Sequence, residues 1–339
     1  MTSLTMSFAG FRHNHILSLY KSATNHPEIK IVGACEEDKG TRERLEQNHN
    51  IEFSHETITD MINSQCDIVA IGDYFGRRGD IAIKALECGR HIICDKPLCT
   101  KFSQLNRIIN LVEERKLKVG CMLTMRDSAY CIMARKIILE ERRIGEIQAI
   151  QFAGQHPLNL DSRPGWYFEK GKHGGTLTDI AVHMVDAIPW ITGLEFKELQ
   201  SARVWNAFVR KHPHFCDAAQ LMASLDNGCG VIGDVSYFAP NKAGYTTPYY
   251  WRTVFWGELG LLEVSANMKT ANLLLHTDKK VQEVELPPSN SGGYLQSFLN
   301  DISETSIQGN QNTQNILKTM QTTLRIQKAA NDKEFNVTL

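Results

Sequence analysis

The first third of the chain alternates between short apolar runs and longer segments in which apolar residues recur at helical spacing. The run at residues 67–71 has no polar position after its first residue, as expected of a strand covered on both faces. Strands and helices joined by short connections predict parallel βαβ units and a doubly wound α/β sheet. The predicted strands are residues 4–9, 30–35, 67–71, 91–94 and 118–122, and the predicted helices are residues 14–23, 40–47, 55–63, 79–88 and 103–114.

Beyond about residue 122 the pattern changes to a series of strands with fewer helices. Consecutive strands joined by turns such as the one at residues 226–228 predict a large, mostly antiparallel sheet. We therefore expect a Rossmann domain over residues 1–122 and an α+β domain over residues 123–339. The predicted strands are residues 147–155, 197–206, 217–225, 229–238, 249–256, 260–265, 271–276 and 281–286, and the predicted helices are residues 127–141, 176–191, 293–306 and 313–330, the last with Asn312 as its N-cap.

Composition narrows the class of protein. The length of 339 residues suits two domains of ordinary size. The 37 Lys and Arg residues nearly balance the 38 Asp and Glu residues and are spread along the chain, so we expect no nucleic acid and no membrane surface as a partner. The longest apolar runs are too short to span a bilayer. Nine scattered cysteines without a C-x-x-C pair, and an N-terminus without a signal pattern, predict a cytoplasmic protein.

The turn after the first predicted strand is where a doubly wound sheet receives phosphates. Of the three glycines in the dinucleotide fingerprint G-x-G-x-x-G, the chain retains only Gly10, at the position that lets the backbone approach a pyrophosphate. Arg12 could supplement the backbone amides at a phosphate, and a plain turn with a solvated arginine is the alternative. The residues of this turn that we expect to contact a dinucleotide are Gly10, Phe11, Arg12 and Asn14.

Acidic residues follow the next two predicted strands. Glu36 directly follows the second strand, at the position where a carboxylate accepts hydrogen bonds from the adenosine ribose and repels a 2′-phosphate. The predicted cofactor is therefore NAD, with NADP less favoured, although Arg42 and Arg44 are close enough in sequence to accommodate that phosphate. Asp73, in the loop after the third strand, is a further candidate cofactor contact, and a turn-forming aspartate is the alternative.

Two further motifs carry candidate chemistry. Asp95-Lys96-Pro97 follows the fourth predicted strand, so Lys96 would point into the cofactor crevice, and a surface turn lysine is the alternative. In the predicted helix at residues 176–191, Asp179, His183 and Asp186 share one face of an otherwise apolar helix. A buried Asp–His pair can fix an imidazole tautomer and set its pKa for proton transfer. A structural hydrogen bond or a metal pair remains the other interpretation.

In this order, the strand–turn–helix, the D-K-P triplet and the helix motif resemble the glucose–fructose oxidoreductase / inositol dehydrogenase / MocA family. The resemblance covers nearly the whole chain, including the segment 249–252, which we interpret as a strand. It implies an NAD(P)-dependent oxidoreductase acting on a secondary alcohol of a sugar, inositol or related polyol. The catalytic residues that it implies are Lys96, Asp179 and His183, with Asp95, Lys96 and Pro97 also at the cofactor.

The chain departs from that family in the eroded glycine fingerprint and in the loop after residue 71, which lacks the family's Pro and His. The mechanism we infer has His183 taking the hydroxyl proton while Lys96 hydrogen-bonds the same oxygen and Asp179 orients the groups around it. Trp166, in the loop at residues 155–173, is a candidate substrate contact, and a plain packing residue is the alternative.

Two other functions remain open. One is an NAD-assisted enzyme with a net non-redox reaction, such as glycoside cleavage or epimerisation, and the other is a catalytically degenerate nucleotide-binding regulatory protein. Aromatic residues concentrated at residues 249–256 indicate a sheet-to-sheet interface, hence a homodimer or homotetramer. The histidines and cysteine at residues 212–216 have metal-ligand types but no second pair, so we predict no metal.

Overall fold

The computed structural model describes residues 3–305 and 309–339. The chain divides into two compact units. The first takes in the chain up to Leu123 together with Gly171–Gly174 and Gly292–Met320, and the second takes in Thr124–Lys170, Gly175–Ser291 and Gln321–Leu339. The first boundary lies one residue beyond the predicted position. The two later segments of the first unit are ones that the sequence pattern assigns to the second domain.

The first unit is built on a fully parallel five-stranded sheet with the order β2-β1-β3-β4-β5. This confirms the predicted doubly wound sheet. Its strands are β1 (Leu4–Ala9), β2 (Ile29–Cys35), β3 (Ile68–Ile71), β4 (His91–Cys94) and β5 (Val119–Cys121). Its helices before Leu123 are α1 (Ile16–Thr24), α2 (Lys39–His49), α3 (Ile58–Asn63), α4 (Phe75–Glu87) and α5 (Phe102–Arg115).

The core of this unit follows from the apolar runs that define its strands. All four residues of β3 are buried, because helices cover both faces of the sheet. Met6 and Phe8 of β1 pack in one cluster with Ile16 and Leu19, which lie one helical turn apart on α1. The helix α8 (Gly293–Ile302) adds Phe298 to the same cluster, which ties a distant part of the sequence to this unit.

The second unit holds a nine-stranded sheet with the order β13-β12-β11-β10-β6-β9-β8-β7-β14. All neighbouring pairs are antiparallel except β6 with β9, so the prediction of a mostly antiparallel sheet is confirmed. Its strands are β6 (Ile147–Pro157), β7 (Phe196–Trp205), β8 (Ala218–Leu225), β9 (Gly230–Ala239), β10 (Thr253–Gly257), β11 (Gly260–Val264), β12 (Thr270–Leu275), β13 (Gln282–Glu285) and β14 (Phe335–Thr338).

The helices of the later chain are interrupted where the sequence predicts continuous ones. The helix α6 (Ala129–Arg135) continues into one π-helical turn at Lys136–Glu140. A π-helical turn at Leu177–Ala181 likewise precedes α7 (Val182–Thr192), which ends at Gly193 in the left-handed conformation. The last helix, α9 (Thr313–Asp332), begins as predicted, with the Asn312 side chain accepting a hydrogen bond from the Asn315 N–H.

One strand prediction was partly wrong, and one strand was missed. Residues 249–252 do not form a strand, because Trp251 has φ +54° and ends a turn, and β10 begins only at Thr253. The strand β14, which the polar C-terminal sequence does not suggest, pairs with β7 at the edge of the sheet. The predicted helix end at Ser306 lies outside the described residues. Among the described residues, no helix combines the length and the apolar character needed to cross a membrane.

Candidate active site

The turn between β1 and α1 has the tight geometry that the fingerprint glycine predicts. Gly10 has φ +78°, and a Cβ at this position would lie 2.8 Å from the Asp73 Cβ. A side chain here would therefore be strained and would also collide with the loop after β3. The turn keeps the close backbone approach that a dinucleotide phosphate requires, although the other two fingerprint positions are not glycine.

Glu36 lies at the carboxyl end of β2 and is bound to this turn. One of its carboxylate oxygens accepts a hydrogen bond from the Phe11 N–H at 2.6 Å, and the other accepts one from the Asp38 N–H at 2.8 Å. Burial raises the pKa of Glu36 to about 7, against the effect of these two N–H donors. Each oxygen keeps a further lone pair, so the carboxylate can also accept ribose hydroxyls, and the residues present fit the adenosine end of a dinucleotide.

The loop after β3 places a second buried carboxylate beside Gly10. Asp73 accepts a hydrogen bond from the Tyr74 N–H at 2.7 Å and pairs with Arg77 at 3.0 Å. Burial raises the pKa of Asp73 despite these two partners. Arg12 is half-buried, with its guanidinium 3.5 Å from the Asp38 carboxylate, and Asn14 is exposed in the turn before α1. The first turn thus gathers Gly10, Phe11, Glu36 and Asp73, while Arg12 and Asn14 lie at its rim.

Lys96 follows β4 in a turn that is held by a buried arginine. Arg78, on α4, has no solvent exposure, and one of its terminal nitrogens donates to the carbonyl oxygens of Asp95 at 2.9 Å and of Lys96 at 2.5 Å. Its other terminal nitrogen donates to the Asp95 carboxylate at 2.8 Å. Lys96 is itself buried, with its amine 5.9 Å from the centre of the Phe75 ring, and the peptide bond to Pro97 is cis.

Asp95 joins this turn to the β1–α1 turn. The His13 Nδ1 lies 2.5 Å from the Asp95 carboxylate. Burial lowers the pKa of His13 to about 3, so its ring is neutral near pH 7 and its Nδ1–H donates to the carboxylate. Burial alone would raise the pKa of Asp95, but the Arg78 guanidinium and His13 hold it well below its usual range. The sequence predicts Asp95 as a cofactor contact. In the structure its side chain binds Arg78 and His13, and a contact with the cofactor stays a prediction.

Three residues of types that commonly bind metal ions lie close together where the β1–α1 turn meets the turn after β4. His13, His15 and Asp95 each offer one potential ligand atom, and these atoms lie within 4.8 Å of one another. Arg78 already pairs with the Asp95 carboxylate and cancels the charge that would attract a divalent cation. We therefore attribute this cluster to hydrogen bonding between the two turns.

The second unit holds Asp179 and His183, the two residues that the sequence predicts as a pair, near the start of α7. Asp179 lies in the π-helical turn and His183 in the α-helix that follows, and both side chains are buried. The phenol of Tyr237, on β9, donates a hydrogen bond to the Asp179 carboxylate. Burial and the neighbouring Asp179 raise the pKa of Tyr237 well above its usual range, so the phenol keeps its proton. Single π-helical turns of this kind are frequent at functional sites.

Aromatic rings surround this pair within the second unit. The His183 ring centre lies 5.6 Å from that of Trp251, which in turn lies 5.4 Å from the His156 ring. The Arg163 guanidinium lies 5.7 Å from the centre of the Tyr237 ring. Such a wall combines apolar faces with polar edges and suits a ligand with one apolar face and several hydroxyls.

The remaining residues that the sequence singles out near this helix, Asp186 and Trp166, have different surroundings. Asp186, the third polar residue of the stripe, accepts two hydrogen bonds from Arg126 at 2.8 and 2.6 Å and forms a buried ion pair. Trp166 is buried, and its ring centre lies 4.2 Å from that of Tyr167. We assign Asp186 to a structural pair, whereas the contact of Trp166 with a substrate stays a prediction.

Three residues at these sites were not identified from the sequence. Arg78 stands in a segment whose charges resemble those of a solvated helix end, and no spacing rule marks it as buried. His13 could not be linked to Asp95 from the sequence, because the two residues are 82 positions apart. Tyr237 alternates correctly for a strand residue that faces the core, but nothing in that alternation indicates a carboxylate partner.

Comparison with known proteins identifies the family. Residues 8–122 match the family model described as an oxidoreductase family with an NAD-binding Rossmann fold, and residues 132–263 match the model of the GFO/IDH/MocA C-terminal domain. The chain belongs to the Gfo/Idh/MocA family of oxidoreductases. The resemblance stated from the motifs is thereby confirmed.

Individual relatives are distant. A levoglucosan dehydrogenase of Pseudarthrobacter phenanthrenivorans is 29% identical over 46% of this chain and 40% of its own length. A scyllo-inositol 2-dehydrogenase (NAD(+)) of Bacillus subtilis is 25% identical over 67% of this chain and 63% of its own. The chain spans about half the length of the curated relatives it matches.

Solved structures share the fold over the full length. A protein of Thermotoga maritima superposes with a TM-score of 0.84 at 21% identity, covering 98% of this chain and 100% of the other. An inositol dehydrogenase homolog of Azotobacter vinelandii, complexed with NAD+, superposes with a TM-score of 0.80 at 14% identity, covering 100% and 98%. At these identities the likeness establishes the fold alone.

Proposed function

We propose that this protein is an NAD-dependent oxidoreductase that oxidises a secondary alcohol of a sugar, an inositol or a related polyol. The observation that carries the proposal is that a chain of this family has a buried lysine two residues after β4, together with buried Asp179 and His183 side chains where the π-helical turn meets α7. A protein that only binds a nucleotide has no need of a proton-transfer group. The named activities of two relatives, on levoglucosan and on scyllo-inositol, support the substrate class.

In the proposed mechanism the bound NAD supplies the hydride acceptor, and the side chains of the protein handle the hydroxyl group. His183 takes the hydroxyl proton as the substrate carbon is oxidised, and Lys96 donates a hydrogen bond to the same oxygen. Asp179, held by the Tyr237 phenol, orients the polar groups around His183. A second substrate hydroxyl or ring face would pack on the aromatic wall formed by Trp251 and its neighbours.

The preference for NAD over NADP rests on Glu36. The residue is only 3% exposed, and its carboxylate is fixed by the backbone N–H groups of Phe11 and Asp38. A ribose with free hydroxyls can donate to this carboxylate, whereas a 2′-phosphate would place negative charge against it. The acidic neighbours Glu37 and Asp38 strengthen that repulsion, and Arg77 is engaged by Glu37 at 2.6 Å.

We further propose that the protein forms a homo-oligomer through the sheet of the second unit. Met222 of β8 and Ile232 of β9 face each other across the strand pair, and each is about half exposed. With Phe335 of β14 they line a surface groove of about 720 Å³. An exposed apolar strip on a broad sheet suits a second copy of the same sheet, which would cover both strips at once.

The direct test of the function has two parts. A thermal-shift titration with NAD and NADP should show a larger rise in melting temperature with NAD. A panel of sugars, sugar alcohols and inositols, followed by NADH absorbance, should then yield NADH in proportion to substrate consumed. Substrate conversion without net NADH would favour the NAD-assisted non-redox reaction. Cofactor binding without conversion of any polyol would contradict the proposed dehydrogenase activity.

A further inference from the structure

The strongest feature that the mechanism does not yet use is the buried Arg78 beneath the Lys96 turn. We propose that Arg78 is a positioning residue for Lys96, which holds the turn Asp95–Lys96–Pro97 in the one conformation that presents the amine to the substrate oxygen. The inference rests on the proposed function, because it assigns a role in presenting the catalytic lysine.

The contacts of Arg78 converge on the backbone of that turn. One terminal nitrogen lies within hydrogen-bond distance of three successive carbonyl oxygens, those of Asp95, Lys96 and Pro97, at 2.9, 2.5 and 3.4 Å. The Nε donates to the carbonyl oxygen of Asp73 at 2.7 Å, so the same side chain joins the loop after β3 to the turn after β4. Three successive carbonyl oxygens can point at one donor only in a particular backbone conformation. The contacts with Arg78 therefore favour that conformation of the turn.

Burial of this guanidinium is costly without full compensation, and the structure supplies that compensation. The Asp95 carboxylate neutralises the charge at 2.8 Å, and both groups have no solvent exposure. The guanidinium also lies over the Phe75 ring at 4.5 Å from the ring centre. An ion pair of this kind adds little net stability compared with apolar packing, so we assign it the role of specifying one conformation of the turn.

Asp95 extends the same hydrogen-bond network to the cofactor turn. Its carboxylate accepts from Arg78 and from the His13 Nδ1, and His13 belongs to the turn that begins at Gly10. The segment carrying Lys96 and the segment expected to receive the cofactor are therefore held by one carboxylate. A displacement of about 1 Å at a reacting group can lower the rate about 100-fold. We expect a loss of kcat of this size when the contacts of Arg78 with the Lys96 turn are removed.

Lysine cannot reproduce these contacts. A guanidinium presents five N–H donors in a rigid planar fork, whereas an ammonium offers three donors around one point. Arg78→Lys therefore keeps the charge beside Asp95 but loses the simultaneous contacts with the carbonyl oxygens of the turn. Arg90 provides the matched control, because it is a partly buried arginine that donates to one carbonyl oxygen, that of Ser64, before the opposite end of β4.

The experiment compares wild type, Arg78→Lys, Arg78→Ala and Arg90→Lys in the full-length protein. We expect kcat of Arg78→Lys on the best polyol to fall about 100-fold, while the Kd for NADH changes less than about threefold. Arg90→Lys should keep the wild-type kcat. Guanidinium ion at millimolar concentration should restore at least about a tenth of the lost kcat to Arg78→Ala, and methylammonium should not, since it lacks the planar fork.

Hydrogen exchange supplies a readout that does not need activity. Exchange in the peptide that covers residues 95–101 should rise in Arg78→Lys relative to wild type and Arg90→Lys. A further outcome is that wild type binds cofactor and oxidises no polyol while the exchange difference is still present. In that case the proposed function fails, but the role of Arg78 in fixing the turn Asp95–Lys96–Pro97 is supported. Unchanged kcat and unchanged exchange in a folded Arg78→Lys would overturn the role of Arg78, as would a loss of kcat matched by an equal loss of NADH affinity.

Discussion

At the scale of single residues, Glu36 shows how one carboxylate serves both the fold and the proposed chemistry. It binds the N–H groups of Phe11 and Asp38 and so shapes the turn after β1. The position of an acidic residue at the end of β2 could be predicted from the sequence, but its backbone partners could not, because they depend on the path of the turn. The cofactor preference of the protein should therefore depend on this one side chain.

Replacing Glu36 by Gln tests that dependence. The variant keeps one acceptor oxygen for the backbone but loses the charge that favours ribose hydroxyls and repels a 2′-phosphate, so NAD affinity should fall about tenfold. NADP affinity should stay the same or rise. The Kd values are measured by titration of protein fluorescence with each cofactor, and Glu43→Gln, an exposed substitution on α2, should leave both unchanged. An unaltered ratio of the two Kd values would disprove the assignment.

Burial raises the pKa of Glu36 and lowers that of His13, so the two residues make the free energy of unfolding change with pH in opposite directions. The folded-state pKa of Glu36 is raised to about 7, so the folded state loses stability as pH rises from about 4.5 to about 7. The folded-state pKa of His13 is lowered to about 3, so its contribution is present above about 6.5 and is lost as pH falls toward 3. In wild type the two trends partly cancel between pH 4.5 and 6.5.

Variants should separate the two trends. Urea unfolding without cofactor, at several pH values, should show Glu36→Gln gaining stability relative to wild type as pH rises from 4.5 to 7. His13→Asn keeps an N–H donor for Asp95 without a titrating ring, and it should gain stability relative to wild type as pH falls below 6.5. If the differences in unfolding free energy between the variants and wild type do not vary with pH, the raised pKa of Glu36 and the lowered pKa of His13 are both contradicted.

At the scale of elements, the start of the helix that carries Asp179 depends on a residue from α9. The Gln327 side chain accepts hydrogen bonds from the N–H groups of Leu177 and Thr178 at 3.0 and 3.3 Å. Gly175, with φ +114°, leaves room for it, since a Cβ there would lie 2.2 Å from the Gln327 oxygen. The motif G-G before the helix could be read from the sequence, but this distant cap could not.

Gln327→Ala should therefore destabilise the protein by about 1–3 kcal/mol, because it leaves two N–H groups at a buried helix start without their acceptor. Chemical denaturation monitored by circular dichroism measures the difference. Gln321→Ala, on the exposed face of the same helix, is the control and should change stability by less than about 0.5 kcal/mol. Equal effects of the two substitutions would show that Gln327 does not act as a cap.

Elements defined by continuous apolar runs were predicted well, and those that depend on a single backbone conformation were not. β1 and β4 have the predicted bounds, since their burial on both faces fixes their composition. The aromatic residues before β10 have high strand propensity, yet Trp251 adopts a left-handed conformation that ends the pairing. Lys96, Asp179 and His183 are predicted by motif, whereas their neighbours Arg78 and Tyr237 come from remote elements.

At the scale of the whole molecule, the apolar strip on the second sheet should determine the oligomeric state. Ile232→Glu would place a charge in the centre of the proposed interface and should convert the oligomer to a monomer at micromolar concentration. Mass measurement by light scattering after size-exclusion chromatography is decisive. Val281→Glu, at a similarly exposed apolar residue before β13, should keep the wild-type mass. A wild type that is already monomeric, or an Ile232→Glu variant with wild-type mass, would contradict the proposed interface.

The central proposal is that Lys96 and His183 act on the same substrate oxygen. The most direct measurement is kcat for polyol oxidation by Lys96→Met, His183→Asn and the double variant, each shown to bind NADH normally. Each single substitution should lower kcat by about 10²–10⁴, and the double variant should be little slower than the slower single one, because groups that act as a unit are not additive. Losses that multiply in the double variant, or a single variant with wild-type kcat, would contradict the claim.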